Sequence, residues 1–158
     1  MLKKLFISLK SIGFKKTIVK LIFITFNFLS FKSFKRKKFE ENLFKTKSVE
    51  ERFNKIYSTN YWSDNESKSG GGSSLRSTEN IRIHLPKIIE KFNIKKLFDA
   101  PCGDFNWMPQ VLKNVELDYM GSDIVDDLIV SNRKYEKDNI KFSKLDIRID
   151  KLPASDLM

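Results

Sequence analysis

Cysteine and histidine are almost absent from this sequence of 158 residues, which contains one of each, Cys102 and His84. A single cysteine cannot form an intramolecular disulfide, and one cysteine with one histidine cannot supply the usual ligand set of a zinc site. The composition therefore excludes a disulfide-stabilised fold, predicts no metal site and favours a reducing compartment.

Glycine, proline and long apolar runs are also scarce. Six glycines and four prolines exclude a collagen-like or low-complexity chain. The uncharged apolar stretch at residues 21–31 is shorter than the roughly 20 residues that a membrane-spanning helix needs. Because 41% of the residues are hydrophobic and the length suits one domain, the sequence predicts a globular fold.

Acidic residues are rare in the first third of the chain. Residues 1–50 contain 13 lysines and arginines against three acids, which gives this segment a net charge of +10, whereas residues 51–158 contain 17 of each. The whole net charge therefore lies at the front. We divide the chain into a basic helical arm, residues 1–45, and a domain, residues 46–158.

The start of the arm has the pattern of an amphipathic helix. Apolar residues recur every three or four positions, with lysines and serines between them: Leu2, Leu5, Phe6, Leu9 and Ile12. A basic amphipathic segment suits an anionic membrane surface. We therefore expect a cytoplasmic chain whose residues 1–38 contact the inner membrane surface.

Other interpretations of the arm are less favoured. A signal peptide would have small residues after its apolar run, but large and basic residues follow Phe31. Nucleic acid is disfavoured as a partner because the phenylalanines lie on an apolar helix face, without a stacking platform. The remaining alternative is that biased codon usage enriches lysine and phenylalanine, and that the arm packs against its own domain or an absent partner.

The first part of the domain reads as helix, loop and helix. Ser48 and Glu51 form a capping-box pattern that predicts a helix start. A Ser- and Gly-rich loop follows over residues 58–77, and its length favours a loop that faces a substrate or cofactor over a linker. A second helix is predicted from residue 77 or 78 to about Phe92, kinked or split by Pro86.

From Lys95 onward, strands and helices alternate. Strands are predicted at residues 96–100, 117–124 and 140–147, and helices at 107–112 and 126–135. This order is typical of an α/β fold, a Rossmann-like parallel sheet with flanking helices, here preceded by N-terminal helices. Ligands bind beyond the carboxyl ends of such strands, where the sequence has Asp99, Asp123 and Asp146.

The turn after the first predicted strand has features of a nucleotide site. Gly103 allows close backbone approach, and N–H groups at the start of a helix are expected to face a ligand. Asp123 follows Gly103 by 20 residues, the spacing at which an acid binds ribose hydroxyls. The spacing therefore indicates a nucleotide-type ligand.

Three segments resemble the first three motifs of class I S-adenosylmethionine-dependent methyltransferases: residues 97–108 (LFDAPCGDFNWM), 119–125 (YMGSDIV) and 142–146 (FSKLD). Upstream, residues 61–62 (YW), 69–70 (SG) and 72–75 (GSSL) with Thr78 resemble the lead-in of a bacterial branch that shares the DAPCGD turn. The resemblance covers residues 57–158.

The resemblance implies S-adenosylmethionine as the cofactor and methyl transfer as the reaction, and it names no acceptor and no catalytic residue. Asp99 and Gly103 would line the methionine part of the cofactor, Asp123 would hold the ribose hydroxyls, and Asp146 would face the adenine amino group. The family pattern is Asp-x-Gly-x-Gly-x-Gly, and Pro101 and Phe105 replace its first and third glycines.

Residues 151–158 read as the approach to a fourth strand. We therefore expect the chain to contain most of the cofactor half of the resembled fold, with an exposed edge on the third strand. It would be an active methyltransferase or an inactive remnant of one, and the alternative is a non-catalytic membrane- or partner-binding fragment. An NAD-dependent oxidoreductase is disfavoured because the turn lacks Gly-x-Gly-x-x-Gly.

The expected contact between the basic arm and an anionic membrane can be tested with lipid vesicles. The full chain is expected to co-sediment with anionic vesicles at low salt and not with neutral ones, because lysines and arginines attract anionic headgroups. High salt is expected to release the protein, since it screens exposed charges. Binding that ignores lipid charge would assign the contact to the apolar residues alone, and no binding would remove the membrane interpretation.

Overall fold

A computed structural model describes residue 25 and residues 33–46 and 48–158. The predicted amphipathic helix at residues 2–12, and most of the segment expected to contact a membrane, lie outside this part of the chain. Two compact units are present, Met1–Thr46 and Lys47–Met158. In the first unit, residues 33–44 are helical (α1). No helix among the described residues is both long enough and apolar enough to cross a membrane.

The second unit contains four helices and three strands in the described residues. In chain order they are α2 (Val49–Ser58), α3 (Glu79–Lys91), β1 (Lys96–Asp99), α4 (Met108–Leu112), β2 (Asp118–Asp123), α5 (Asp126–Asn132) and β3 (Ile140–Lys144), with short 3-10 turns at Gly71–Ser73 and Arg133–Tyr135. The predicted alternation of strands and helices is confirmed, and the observed strands are shorter than predicted by a few residues.

The three strands form one parallel sheet in the order β1-β2-β3. Leu97 of β1 lies opposite Tyr119 of β2, which lies opposite Ile140 of β3. Each parallel connection passes through a helix, α4 or α5, as parallel strands require. The second unit is therefore an α/β structure, a three-stranded parallel sheet with flanking helices.

The hydrophobic core lies on one face of this sheet. Its buried members come from all three strands, from the helices that cover them and from the connections between them: Ile89, Ile94, Leu97, Phe105, Met108, Val111, Leu117, Tyr119, Ile129, Ile140 and Phe142. Side chains alternate between the faces of a strand, so Leu97, Tyr119 and Phe142 share this face. Gly121 also lies here, and a Cβ on it would come within 2.8 Å of the Phe142 ring.

The two N-terminal helices of this unit follow the sequence patterns in part. The Ser48 hydroxyl accepts a hydrogen bond from the Glu51 N–H at 3.0 Å, which confirms the predicted cap of α2. In contrast, α3 continues through Pro86, so of the predicted kink or split the split is wrong. Ile89 of α3 is buried, whereas Phe92, directly after the helix, is 63% exposed.

The last residues of the chain lie along the outer edge of β1. The Phe98 N–H donates to the Leu157 carbonyl at 2.9 Å, and Leu97 and Leu157 form a parallel bridge. The carboxylate of Asp156 accepts from the N–H groups of Lys95 and Lys96, both at 2.8 Å. This segment and β2 therefore flank β1 on opposite sides, which makes the carboxyl end of β1 a topological switch point.

The outer edge of β3 is partly covered, contrary to the expected exposed edge. The Phe142 N–H donates to a carboxylate oxygen of Glu136 at 3.0 Å. Lys137 and Ile140 exchange two backbone hydrogen bonds on the same edge. These contacts occupy groups that another strand would otherwise pair with.

The hydrogen bond from the Phe142 N–H to Glu136 predicts how Glu136→Ala changes the self-association of the protein. Removal of the carboxylate frees the Phe142 N–H for pairing with a second chain, so we expect more concentration-dependent association, measured by analytical ultracentrifugation. The loss of unfolding free energy is expected to be about 0.5–1.5 kcal/mol, that of one hydrogen bond. Glu116→Ala, an exposed control away from β3, should leave association unchanged; equal association in both variants would contradict the role of Glu136.

Candidate functional site

A cavity of about 230 Å³ lies at the carboxyl ends of β2 and β3. Strand ends and the loops after them form one side, and α2 forms the other. The lining residues are Val49, Phe53, Tyr57, Pro101, Ser122, Asp123, Ile124, Leu145, Asp146, Ile147 and Arg148. The three residues from α2 are spaced by four positions and so lie on one face of that helix. The cavity is mainly apolar, with a few charged groups.

Asp123, the last residue of β2, is only 4% exposed and lines the cavity. Its carboxylate oxygens accept hydrogen bonds from the N–H groups of Gly103 at 3.1 Å and Val125 at 3.0 Å. Burial raises the pKa of this carboxyl group, and the backbone hydrogen bonds oppose that rise. A carboxylate has about four acceptor positions, so capacity remains for hydroxyl groups of a ligand.

Asp146 lies two residues beyond β3 and lines the same cavity. Arg148 donates to both of its oxygens, from Nε at 2.8 Å and from Nη2. These hydrogen bonds hold the pKa of the Asp146 carboxyl below its usual value. The structure therefore brings Asp123 and Asp146, two of the four predicted site residues, to one cavity.

Asp99 ends β1 at the topological switch point and is not among the cavity-lining residues. The Tyr119 hydroxyl donates to its carboxylate at 2.7 Å. Burial raises the pKa of Asp99 to about 6, and the negative charge of Asp123 adds to this rise. Asp99 therefore titrates close to the pH range in which proteins function.

Three N–H groups of the turn after β1 donate to partners within the protein, so the expectation that they are free to meet a ligand is wrong for these three. The Cys102 N–H donates to the Ser122 carbonyl at 2.8 Å, and the Gly103 N–H donates to Asp123. The Asp104 N–H donates to the Ser69 hydroxyl at 3.0 Å. Helix α4 begins later, at Met108. Since each of these N–H groups has a partner in the protein, the turn serves to anchor Asp123.

Gly103 is required by its neighbours inside the protein. Its φ is +57°, a conformation that favours glycine, and a Cβ there would lie 2.3 Å from the Ser69 hydroxyl oxygen. The Gly103 carbonyl accepts from the side-chain amide of the buried Asn132 at 2.8 Å. The close approach predicted at Gly103 is therefore made by Ser69.

Ser67, Lys68 and Ser69, here called the strap, fix the Gly-rich loop onto this turn. The carboxylate of Asp104 accepts from the Ser67 hydroxyl at 3.1 Å and from the Lys68 N–H at 2.7 Å. The Ser69 hydroxyl lies 3.2 Å from the Tyr57 hydroxyl. Asp104 thus has a local structural role, and the loop is part of the folded unit.

Phe105 stands where the resembled methyltransferase motif has its third glycine. Its φ is +57°, which is unusual for a residue with a side chain, and its ring is 3% exposed. The ring packs against Tyr119 and Phe142, with centroids at 5.3 and 4.9 Å. The glycine-like backbone is retained, while the side chain joins the core.

The single cysteine and the single histidine do not belong to such an arrangement. The Cys102 thiol is partly buried, and burial with the charges of Asp99 and Asp123 raises its pKa, so the thiol stays protonated. His84 is exposed on α3. Within the described ranges, no group of three or more potential ligand residues could hold a metal ion.

The sequence patterns missed the wall formed by α2 and the arginine at the cavity. Val49, Phe53 and Tyr57 have the spacing of a buried helix face, yet Phe53 is 36% exposed at the cavity. Arg148 follows a predicted site residue by two positions, which carries no recognisable signal. Both assignments require the tertiary structure.

Comparison with models of known protein families gives no match to this chain. Comparison with curated proteins gives no match either. The function proposed below therefore depends on the geometry of the cavity and on the motifs described above.

Asp99 predicts a pH dependence of stability. Its folded pKa of about 6 exceeds the unfolded value of about 3.9, so between these values the folded state binds more protons and stability falls as pH rises. Asp99→Asn lacks this titration. From pH 4 to 6, we expect the variant to gain about 1–3 kcal/mol relative to the wild type in denaturant unfolding.

Tyr119→Phe is a second variant for the same test. The Tyr119 hydroxyl lowers the pKa of Asp99 by hydrogen bonding, so its removal should extend the fall in stability above pH 6. Parallel pH curves for the wild type and Asp99→Asn would show that Asp99 titrates normally.

Proposed function

We propose that the cavity binds the adenosine part of S-adenosylmethionine and that the chain functions in methyl transfer to an acceptor. The observation that carries this proposal is the position of Asp123 and Asp146, which come from neighbouring strand ends and line one mainly apolar cavity. A single ligand with hydroxyl groups, an apolar ring and an amino group would satisfy all of these features.

Asp123 is suited to a ribose. Vicinal hydroxyl groups can donate to the two oxygens of one carboxylate, and a charged acceptor strengthens each hydrogen bond. Because its backbone partners hold Asp123 in place, no rearrangement of this side chain is required. The hydroxyl groups would also offset the cost of a buried negative charge.

The apolar walls are suited to a purine ring. Val49 and Phe53 from α2 face Ile124, Leu145 and Ile147 from the loops after β2 and β3. Cofactor pockets typically combine such apolar surfaces with a few polar groups, in volumes of about 300–1,000 Å³. At about 230 Å³, this cavity suits the nucleoside rather than the whole cofactor.

The topology supports a Rossmann-like methyltransferase fold. The Leu157 segment pairs with one edge of β1, and β2 pairs with the other edge. Ligands of α/β sheets bind at such a switch point. Asp99 lies there, where the resemblance assigns the methionine part. Gly103 contacts Ser69, so the strap would contribute the surface that the resemblance assigns to Gly103.

S-adenosylmethionine would supply an activated methyl group bound to a sulfonium. Transfer of such a group requires chiefly that the donor be held in a fixed position. In this chain, Asp123 and Asp146 would hold the polar groups of the nucleoside, while the α2 wall would exclude water from the base.

Isothermal titration with S-adenosylhomocysteine tests this proposal. We expect the wild type to bind it and not NAD. Asp123→Asn should weaken binding by about 1.5–3 kcal/mol, the contribution of a charged hydrogen bond. Asp118→Asn is the matched control, because Asp118 is exposed at the opposite end of the same strand and should leave affinity unchanged.

A second variant separates binding from folding, since Asp123 also anchors Gly103 and Val125. Phe53→Ala removes a ring from the cavity wall and should weaken binding by about 0.5–1.5 kcal/mol. Phe92→Ala, an exposed phenylalanine at the end of α3, is its control. Absence of wild-type binding, or equal affinity in all variants, would reject the adenosine site.

A further inference from the structure

Arg148 is a charged cavity residue to which the motifs assign no role. It forms a two-pronged pair with Asp146, from Nε to one carboxylate oxygen at 2.8 Å and from Nη2 to the other. The Arg148 side chain is 51% exposed, whereas that of Asp146 is 13% exposed. Arg148 therefore approaches from the solvent side and holds a carboxylate that is largely withdrawn from water.

This pairing fixes both the plane and the charge of the Asp146 carboxylate. A guanidinium and a carboxylate joined by two parallel hydrogen bonds lie in a defined orientation. The Arg148 N–H also donates to the same carboxylate at 3.0 Å, so the backbone adds a third contact. An ionised carboxylate can only accept hydrogen bonds. Asp146 is thus an oriented acceptor at the cavity.

The backbone groups of Asp146 are already used within the loop. Its N–H donates to a carboxylate oxygen of Asp150 at 2.7 Å. Its carbonyl accepts from the N–H groups of Ile149 at 3.1 Å and Asp150 at 2.9 Å. A ligand that contacts Asp146 by hydrogen bonding would therefore meet its carboxylate oxygens.

We propose that Arg148 is a positioning residue that determines base specificity: by fixing Asp146 as an acceptor, it makes the cavity select a base with an exocyclic amino group over one with an oxo group. This inference rests on the proposed adenosine site. An amino group donates to the fixed carboxylate, whereas an oxo group presents lone pairs to it. A site built around such a hydrogen bond rejects a ligand that lacks the donor.

Loss of Arg148 should reduce selectivity more than binding. Without its partner, the Asp146 carboxylate can rotate, so it no longer presents an acceptor in a fixed direction to the amino group of the base. Asp123 and the apolar walls would still hold the ribose and the ring. The ratio of two affinities is therefore the quantity that separates this role from a merely structural one.

The experiment uses the full chain and two probes, S-adenosylhomocysteine and its inosine analogue, titrated calorimetrically. We expect the wild type to prefer the adenosine compound by about ten- to a hundredfold, as loss of a charged hydrogen bond implies. Arg148→Met should reduce this preference severalfold or more. Arg148→Lys keeps the charge without the fork and should restore it in part, and Arg133→Met, an exposed control, should match the wild type.

The outcomes distinguish the two proposals. If the wild type binds neither probe, the adenosine site is rejected and this inference with it. If the wild type binds the adenosine compound and Arg148→Met keeps the full preference, only the role of Arg148 is rejected. Tighter adenosine binding by Arg148→Met would also reject it, since Arg148 would then compete with the base for Asp146.

Discussion

The carboxylate of Asp123 joins the two turns on which the cavity is built. It binds the N–H of Gly103, in the turn after β1, and the N–H of Val125, in the turn before α5. A buried carboxylate is costly unless hydrogen-bonded, so these turns and this side chain constrain one another. The Gly103 carbonyl is bound in turn by Asn132 of α5, which fixes the turn from its other side.

This anchoring determines what the rest of the turn can do. With Gly103 directed at Asp123, the next N–H, that of Asp104, meets the strap, and the Asp104 carboxylate accepts from Ser67 and Lys68. The polar groups of the turn thereby stabilise the protein itself. What remains open to a ligand is the far side of Asp123, where α2 and the loop after β3 form the walls.

Pro101 and Phe105, which stand where the resembled methyltransferase motif has glycines, have different consequences. Phe105 keeps a positive φ, which costs on the order of 1–2 kcal/mol for a residue with a side chain. Burial of a phenylalanine ring is worth about 1.5–3 kcal/mol and offsets that cost. Pro101 lines the cavity and gives the turn an apolar surface toward it. The backbone path therefore does not require glycine at either position.

The sequence by itself determined which segments of this protein are strands and which are helices, because these follow from the spacing of apolar residues and from caps such as Ser48. The parallel arrangement of the strands, and the convergence of Asp123 and Asp146, follow from the rules for parallel sheets. Only the tertiary structure decided that Ser69 meets Asp104, that Phe53 faces the cavity, and that α3 continues through Pro86 with Phe92 exposed. Some of these features depend on contacts between residues far apart in the chain, such as Ser69 with Asp104. Others depend on which side of a helix is covered by the rest of the protein. Neither kind of contact produces a periodic pattern in the sequence.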